Sequence, residues 1–305
     1  MFQGECSMKK NGYLYLIIAI MMAPAFSRAK TITLFSHGIA DKWTQVHRYV
    51  PSYTKSDITH HNERYVINTP YVSFNYPDAT NRFYRVNYNE TSFGQGNEIG
   101  RLYKAYENIK NQIYQELQNL CEDIDIILFG VSRGASNQLI FAGQYVLDRV
   151  KAIILESPYH TMGEVIESIM HKKNLGWLPL SYGETVTEFI FKKYTRYGYS
   201  PANCLKNISQ DIPILIICSE EDHLVPCSSS INVYKKLVEC GHKHVYIFIA
   251  KEGRHAAILQ GPEGEKYQQI MNAFYKKYNL PYNPSDAEKG EPLLALCQPT
   301  CDELS

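Results

Sequence analysis

Three short runs constrain the fold of this chain more than any other feature: 124–129 (IDIILF), 151–156 (KAIILE) and 212–219 (IPILIICS). Each is nearly all apolar and rich in β-branched residues, with no polar residue at every second position. A strand that alternates has one wet face; a strand that does not is covered on both, which is the pattern of a parallel sheet. The runs 31–36 (TITLFS), 71–76 (YVSFNY) and 244–249 (HVYIFI) also read as strands. Helical spacing separates them. Over 97–120 it sets Ile99, Leu102, Tyr106 and Ile109 on one face, and the segments 132–147, 228–240 and 266–278 are similar. Strands alternating with helices predict an α/β fold. Its mostly parallel, doubly wound sheet has about six to seven strands, with helices on both faces. A chain of 305 residues with 45% hydrophobic content can fill such a core. Lys+Arg and Asp+Glu both number 31 and no basic stripe is present, so a nucleic-acid partner is not expected.

Residues 30–280 read as one domain. The stretch 159–210 interrupts its rhythm with two weak helices, 162–170 and 185–194, and reads as a small helical cap inserted over the sheet. Beyond it, 281–305 opens with PYNPSDAEKGEP and predicts a flexible C-terminal tail. At the other end, 1–29 has the parts of a signal peptide: Met8-Lys9-Lys10-Asn11, the apolar run 13–22, then the small residues of Ala23-Pro24-Ala25 and Ser27-Arg28-Ala29. That run is too short to cross a bilayer, which takes about 20 apolar residues. The expectation is a secreted or periplasmic protein with no stable membrane span after leader removal, or a membrane-anchored one if the leader is kept.

Of eight cysteines, Cys6 lies in this leader. Cys227 and Cys240 flank one predicted helix about 20 Å apart, too far to pair with each other. Cys218, inside an apolar run, reads as a small core residue. His60-His61 and His242-Lys243-His244 lack a third ligand at metal-site spacing, so neither a metal nor a cofactor is expected.

Chemistry enters at Gly130-Val131-Ser132-Arg133-Gly134, which follows a buried strand directly and opens a helix. In that context G-x-S-x-G is a nucleophile elbow, a turn so sharp that side chains two positions either side of the serine would collide. It exposes Ser132 above the sheet at a helix N-terminus. A serine hydroxyl needs a base to take its proton and an acid to orient that base. Glu220, Glu221 and Asp222 follow the run 212–219, and His255 follows 244–249, so all sit on the rim that carries Ser132. Taken singly, Asp222 and His255 also suit helix caps.

Together, His37-Gly38 after the first strand, GVSRG, the acid loop EDHLVP and the closing GRH resemble the α/β-hydrolase superfamily over roughly 31–278. The similarity is to its lipases, esterases, thioesterases and serine aminopeptidases. The resemblance implies a catalytic order of Ser132, Asp222, His255, with Asp222 preferred because it stands three residues before Val225-Pro226. It implies oxyanion donors in the backbone N–H groups of Ile39 and Arg133, and structural roles at the site for His37, Gly38, Gly130 and Gly134. The Arg133 side chain is read either as a contact for an acidic substrate group or as packing on the elbow helix. The implied activity is hydrolysis of a carboxylic ester in a small-molecule acyl substrate. A serine aminopeptidase or thioesterase is the alternative within the fold, and a non-catalytic binding protein the alternative outside it.

Overall fold

The computed structural model describes residues 30–51, 64–80, 86–117 and 124–304. The expected leader, with Cys6, and also His60-His61 and Cys121, lie outside the described residues. Six strands form one sheet: β1 (Lys30–Ser36), β2 (Tyr71–Ser73), β3 (Ile124–Val131), β4 (Val150–Glu156), β5 (Ile214–Ser219) and β6 (Val245–Ala250). Their order is β2-β1-β3-β4-β5-β6 and every neighbouring pair is parallel. Helices α1 (Asn97–Leu117), α2 (Arg133–Gln144), α3 (Met162–Lys172), α4 (Leu180–Ile190), α5 (Pro201–Cys204), α6 (Cys227–Glu239), α7 (Gly264–Lys277) and α8 (Pro284–Ala295) complete it. This is the α/β-hydrolase fold.

The unalternating strands are explained by two cores, one on each face. In β3, Ile126 and Leu128 enter one cluster, and Ile127, Phe129 and Val131 the other. In β5, Ile214, Ile216 and Cys218 face the first while Leu215 and Ile217 face the second. The first cluster lies under α1, α2 and α6, and the second under α7 and α8. Burying each such Ile or Leu is worth about 1.5–3 kcal/mol, so both faces need apolar residues. The chain winds one way from β1 to β2 and the other way from β3 onward. The strand ends at that reversal, β1 and β3, therefore open a crevice where ligands of such sheets bind.

Two expectations are corrected by the fold. The expected tail, 281–305, is ordered through its described residues, 281–304: Asn283 caps α8 by accepting the N–H groups of Ser285 and Asp286, and Pro284 holds its first turn. Ala287, Gly290 and Leu294 are buried on the α7 side, where a Cβ at Gly290 would overlap the Gln269 carbonyl. Ile247 N–H then donates to the Cys297 carbonyl at 2.7 Å, so the C-terminal segment covers the edge strand β6. The segment is rich in proline, aspartate and glutamate, but its Asn283, Pro284 and Gly290 serve as cap, first-turn and contact residues. In the cap, the second helix starts at Leu180, earlier than 185, and ends at Ile190. Pro179 precedes it, and Gly183 lies inside it because a Cβ there would overlap Met170 and Ile166 of α3.

Candidate active site

The site is assembled from the C-terminal ends of β1, β3, β5 and β6. Ser132 leaves β3 at φ 57°, ψ −123°, a conformation that costs a non-glycine residue free energy and persists only where its surroundings hold it. Its N–H donates to the Glu156 carbonyl at 2.7 Å. The flanking glycines are required by close approach. A Cβ at Gly130 would lie 2.6 Å from the backbone of Ala135, and one at Gly134 would overlap the carbonyl of Ser36.

His255 stands two residues after Gly253, whose φ of 144° turns the chain back over the sheet. Its Nε2 lies 2.8 Å from Ser132 Oγ and its Nδ1 2.7 Å from Asp222 Oδ2. An ionised carboxylate only accepts, so Nδ1 carries the proton and Nε2 presents its lone pair to the serine hydroxyl. Asp222 is buried, and its other oxygen accepts the N–H groups of Leu224 (2.8 Å) and Val225 (2.9 Å). Burial alone would push this carboxyl up. The bond and charge of His255 with the two backbone N–H groups outweigh it and hold Asp222 below its ordinary value. Glu220 is not among its partners, and Glu221 turns instead to Gly253 N–H.

Cys218 and Cys227 close the base of this acid loop with a disulfide, their Cα atoms 5.5 Å apart. Cys218 is therefore more than a small core residue. It is the penultimate residue of β5, Cys227 starts α6, and the turn between them brings the two together. Cys240 stays free at the far end of α6.

The loop after β1 is pinned on three sides. Gly38 N–H donates to Gln45 Oε1 at 2.9 Å, and the Gly38 carbonyl accepts from His37 Nδ1 at 2.7 Å and from Arg133 Nη2 at 3.3 Å. His37 Nε2 accepts the Tyr76 N–H at 3.1 Å, which fixes the tautomer. Burial, and then the Arg133 charge, lower the His37 pKa to about 3, so this ring stays neutral. Gly38 lies against Ser132, where a Cβ would come 3.4 Å from the serine Cβ. Ile39 is half-buried at the edge of a cluster of Phe93, Tyr159, Val165, Tyr194 and Val225, and Arg133 is the first residue of α2.

The Arg133 side chain does not reach toward a substrate. It is buried, with Nη1 2.5 Å from Asp78 Oδ2 and 3.3 Å from Glu98 Oε1, and its guanidinium 4.6 Å from the Tyr76 ring centroid. Burial lowers its pKa, but Glu98 and Asp78 more than restore it, so the charge is kept. One residue thus places its N–H on the elbow and its side chain on the Gly38 loop. Asp78 was missed because it lies in irregular sequence, and Glu98 because a carboxylate in the first turn of a predicted helix reads as a dipole partner rather than as half of a distant ion pair. Glu156 carried a readable signal, a lone carboxyl ending an apolar strand. It is buried, accepts from Tyr267 at 3.0 Å, and burial lifts its pKa to about 7 although the Tyr267 hydrogen bond opposes the rise.

Helices α3 and α4 and the loop before α1 line an open cavity of about 470 Å³, whose walls include Phe93, Tyr159, Met162, Tyr194 and Arg196. Among the described residues, no group of three His, Cys, Asp or Glu could hold a metal ion, and no helix is long and apolar enough to cross a membrane.

Residues 116–280 match the prolyl oligopeptidase family. A segment of 158 residues is 25% identical to the uncharacterized protein YfhR of Escherichia coli O157:H7, covering 52% of this chain and 48% of that protein. The chain thus matches about half the length of this relative. Among solved structures, an acylaminoacyl peptidase of Pyrococcus horikoshii superposes with a TM-score of 0.50 at 19% identity, over 87% of this chain and 41% of that one. The Pyrococcus furiosus esterase Pf2001 does so with 0.50 at 17%, over 82% and 83%. These two likenesses establish the fold, and the sequence match over 116–280 establishes the kinship: the chain belongs to the prolyl oligopeptidase family, on the serine-hydrolase branch of the α/β-hydrolase superfamily.

Proposed function

We propose that this protein is a serine hydrolase that transfers the acyl group of a carboxylic ester to water through Ser132, His255 and Asp222. The observation that carries the reading is the continuous line of hydrogen bonds from Ser132 Oγ through His255 to Asp222, at 2.8 and 2.7 Å. His255 Nε2 removes the hydroxyl proton as Oγ attacks the carbonyl carbon, and the carbonyl oxygen becomes an oxyanion. The N–H groups of Ile39 and Arg133 are the donors for that charge. His255 returns the proton to the departing alkoxide, leaving an acyl group on Ser132. Water, deprotonated by the same imidazole, then attacks the acyl-enzyme and restores the serine. Asp222 keeps the ring in the productive tautomer throughout and stabilises the imidazolium.

Cleavage of an amide is the second reading, favoured by the match to a peptidase family. The steps are the same with an amine as leaving group. A binding protein without catalysis fits less well, because a scaffold has no need of these three side chains in hydrogen-bonded line. Labelling with a fluorophosphonate probe tests the reading: wild type should label, and Ser132→Ala and His255→Ala should not. Equal labelling of all three would refute it. Ester, thioester and aminoacyl-amide substrates assayed side by side separate the leaving groups.

The leader suggests export. The Cys218–Cys227 bond supports an oxidising compartment, since disulfides are rare in reducing cytosol. N-terminal sequencing of the protein recovered outside the cytosol tests it, and a start near Lys30 is expected.

A further inference from the structure

The second cap helix, α4, has three faces with different fates. Gly183 packs against Met170 and Ile166 of α3. Ser181, Glu184, Thr185 and Glu188 bind Arg196, whose guanidinium lies 2.7 Å from Glu188 and 3.3 Å from Glu184. The third face holds Tyr182, Val186, Phe189 and Ile190, spaced by four, three and one residues and so on one side of the helix. It is apolar and open: Phe189 is 73% exposed and Tyr182 56%, and Trp177, just before the helix, is 77% exposed. Val186 and Ile190 are 41% and 42% exposed. Contiguous aromatic surface of this kind marks an interaction site in a water-soluble domain.

Charge narrows the partner. The whole chain has a formal net charge of zero, yet 171–199 holds five cations (Lys172, Lys173, Lys192, Lys193 and Arg196) against two carboxylates, Glu184 and Glu188. Both carboxylates are turned to Arg196, away from the apolar face. Lys193 is paired with Glu90 at 2.6 Å and Lys172 donates to the His223 carbonyl at 2.9 Å, while Lys192 Nζ stands at the face itself, 4.0 Å from the centroid of the Phe189 ring. Aromatic side chains beside lysines suit the boundary between acyl chains and anionic headgroups, where rings enter the apolar layer and ammonium groups stay at the phosphates. A second copy of the same face would instead bring like charges together.

We propose that this face of α4, with Trp177, docks the protein on a bilayer surface carrying anionic headgroups. Leu180 and Glu184, on the inner side of the same helix, line the cavity, so the docked surface lies about one helix diameter, roughly 10 Å, from it.

The test uses the full chain with Trp43→Phe, leaving Trp177 as the only indole. With phosphatidylcholine vesicles containing phosphatidylserine, the protein should co-sediment and Trp177 emission should shift to the blue. Pure phosphatidylcholine should bind it far less. Lys173→Gln with Lys192→Gln should weaken binding about thirtyfold, from the contribution of each lysine near an anionic surface. Phe189→Glu should weaken it about tenfold or more, with its thermal midpoint and its hydrolysis of a soluble ester unchanged, because an exposed ring holds no core together. Wild type that stays in the supernatant overturns the proposal. So does co-sedimentation with unshifted Trp177 emission, which would assign binding to the apolar run 13–22. A dimer that Phe189→Glu dissociates, with no vesicle binding, would overturn it in favour of a second copy.

Discussion

Arg133 Nη1 lies 2.5 Å from Asp78 Oδ2, and neither side chain reaches solvent. The pair sits directly behind the elbow, and Glu98 and Thr91 add further hydrogen bonds to it. Removing Asp78 takes away the nearer of the two counter-charges of Arg133 and the acceptor of Thr91, and breaking a buried pair in this way costs about 3–5 kcal/mol. In urea denaturation Asp78→Ala should therefore lose that much unfolding free energy, seen as a lower midpoint. Arg133→Lys should also destabilise, because a point charge cannot reach Asp78, Glu98 and the Gly38 carbonyl together. Equal midpoints for wild type and both variants would contradict the account.

Asp222 selects a tautomer. In Asp222→Asn the amide oxygen can still accept the N–H groups of Leu224 and Val225, so the loop should keep its shape. Its NH2 would face His255 Nδ1 and force the proton onto Nε2, the wrong side for a base. Loss of kcat by about 10⁴, with little change in thermal midpoint, is the expected outcome. Steady-state ester kinetics beside a melting curve provide the check.

Glu156 predicts a slope of stability with pH. Burial raises its pKa from an ordinary 4.5 to about 7, so between those values the folded chain holds a proton that the unfolded chain has released. Stability must then fall as pH rises through this window, by roughly 3 kcal/mol in all. Glu156→Gln keeps an acceptor for Tyr267 and carries no ionisable group. Its melting temperature should lose this downward slope between pH 4.5 and 7 and exceed that of wild type above pH 7. Parallel pH profiles for the two proteins would rule the explanation out.

The Cys218–Cys227 bond closes a loop with a sequence separation of 9 that contains Asp222. Chain-entropy reasoning gives such a cross-link about 2.5 kcal/mol. Denaturation with dithiothreitol should show a loss of that order, and Cys227→Ser should match it. Slower ester turnover of the reduced protein, under conditions where it stays folded, would show that the bond also holds Asp222 in place.

Much of this protein was legible in its residues. Runs such as 124–129 and 212–219 imply strands covered on both faces, since side-chain alternation is a local property of the pleat and its absence shows directly. The elbow was legible for the same reason: Gly130 and Gly134 meet backbone within a few residues or on the adjacent strand. The chain order of Ser132, Asp222 and His255 was available too, and the fold brings them into hydrogen-bonding contact. Other features needed the tertiary structure. Arg133 meets Asp78 and Glu98 across separations of 55 and 35 residues, a pairing that no local pattern encodes. The helix at Pro284–Ala295 was hidden because Gly290 suits a close helix contact only once α7 lies beneath it. Which side of α4 stays bare was decided by Arg196 and Met170, residues that occupy its other two faces. Periodicity and turn chemistry act over a few residues and can be read in one dimension. Charge pairing, close packing and exposure depend on which distant segments the fold brings together, and that is settled only in three.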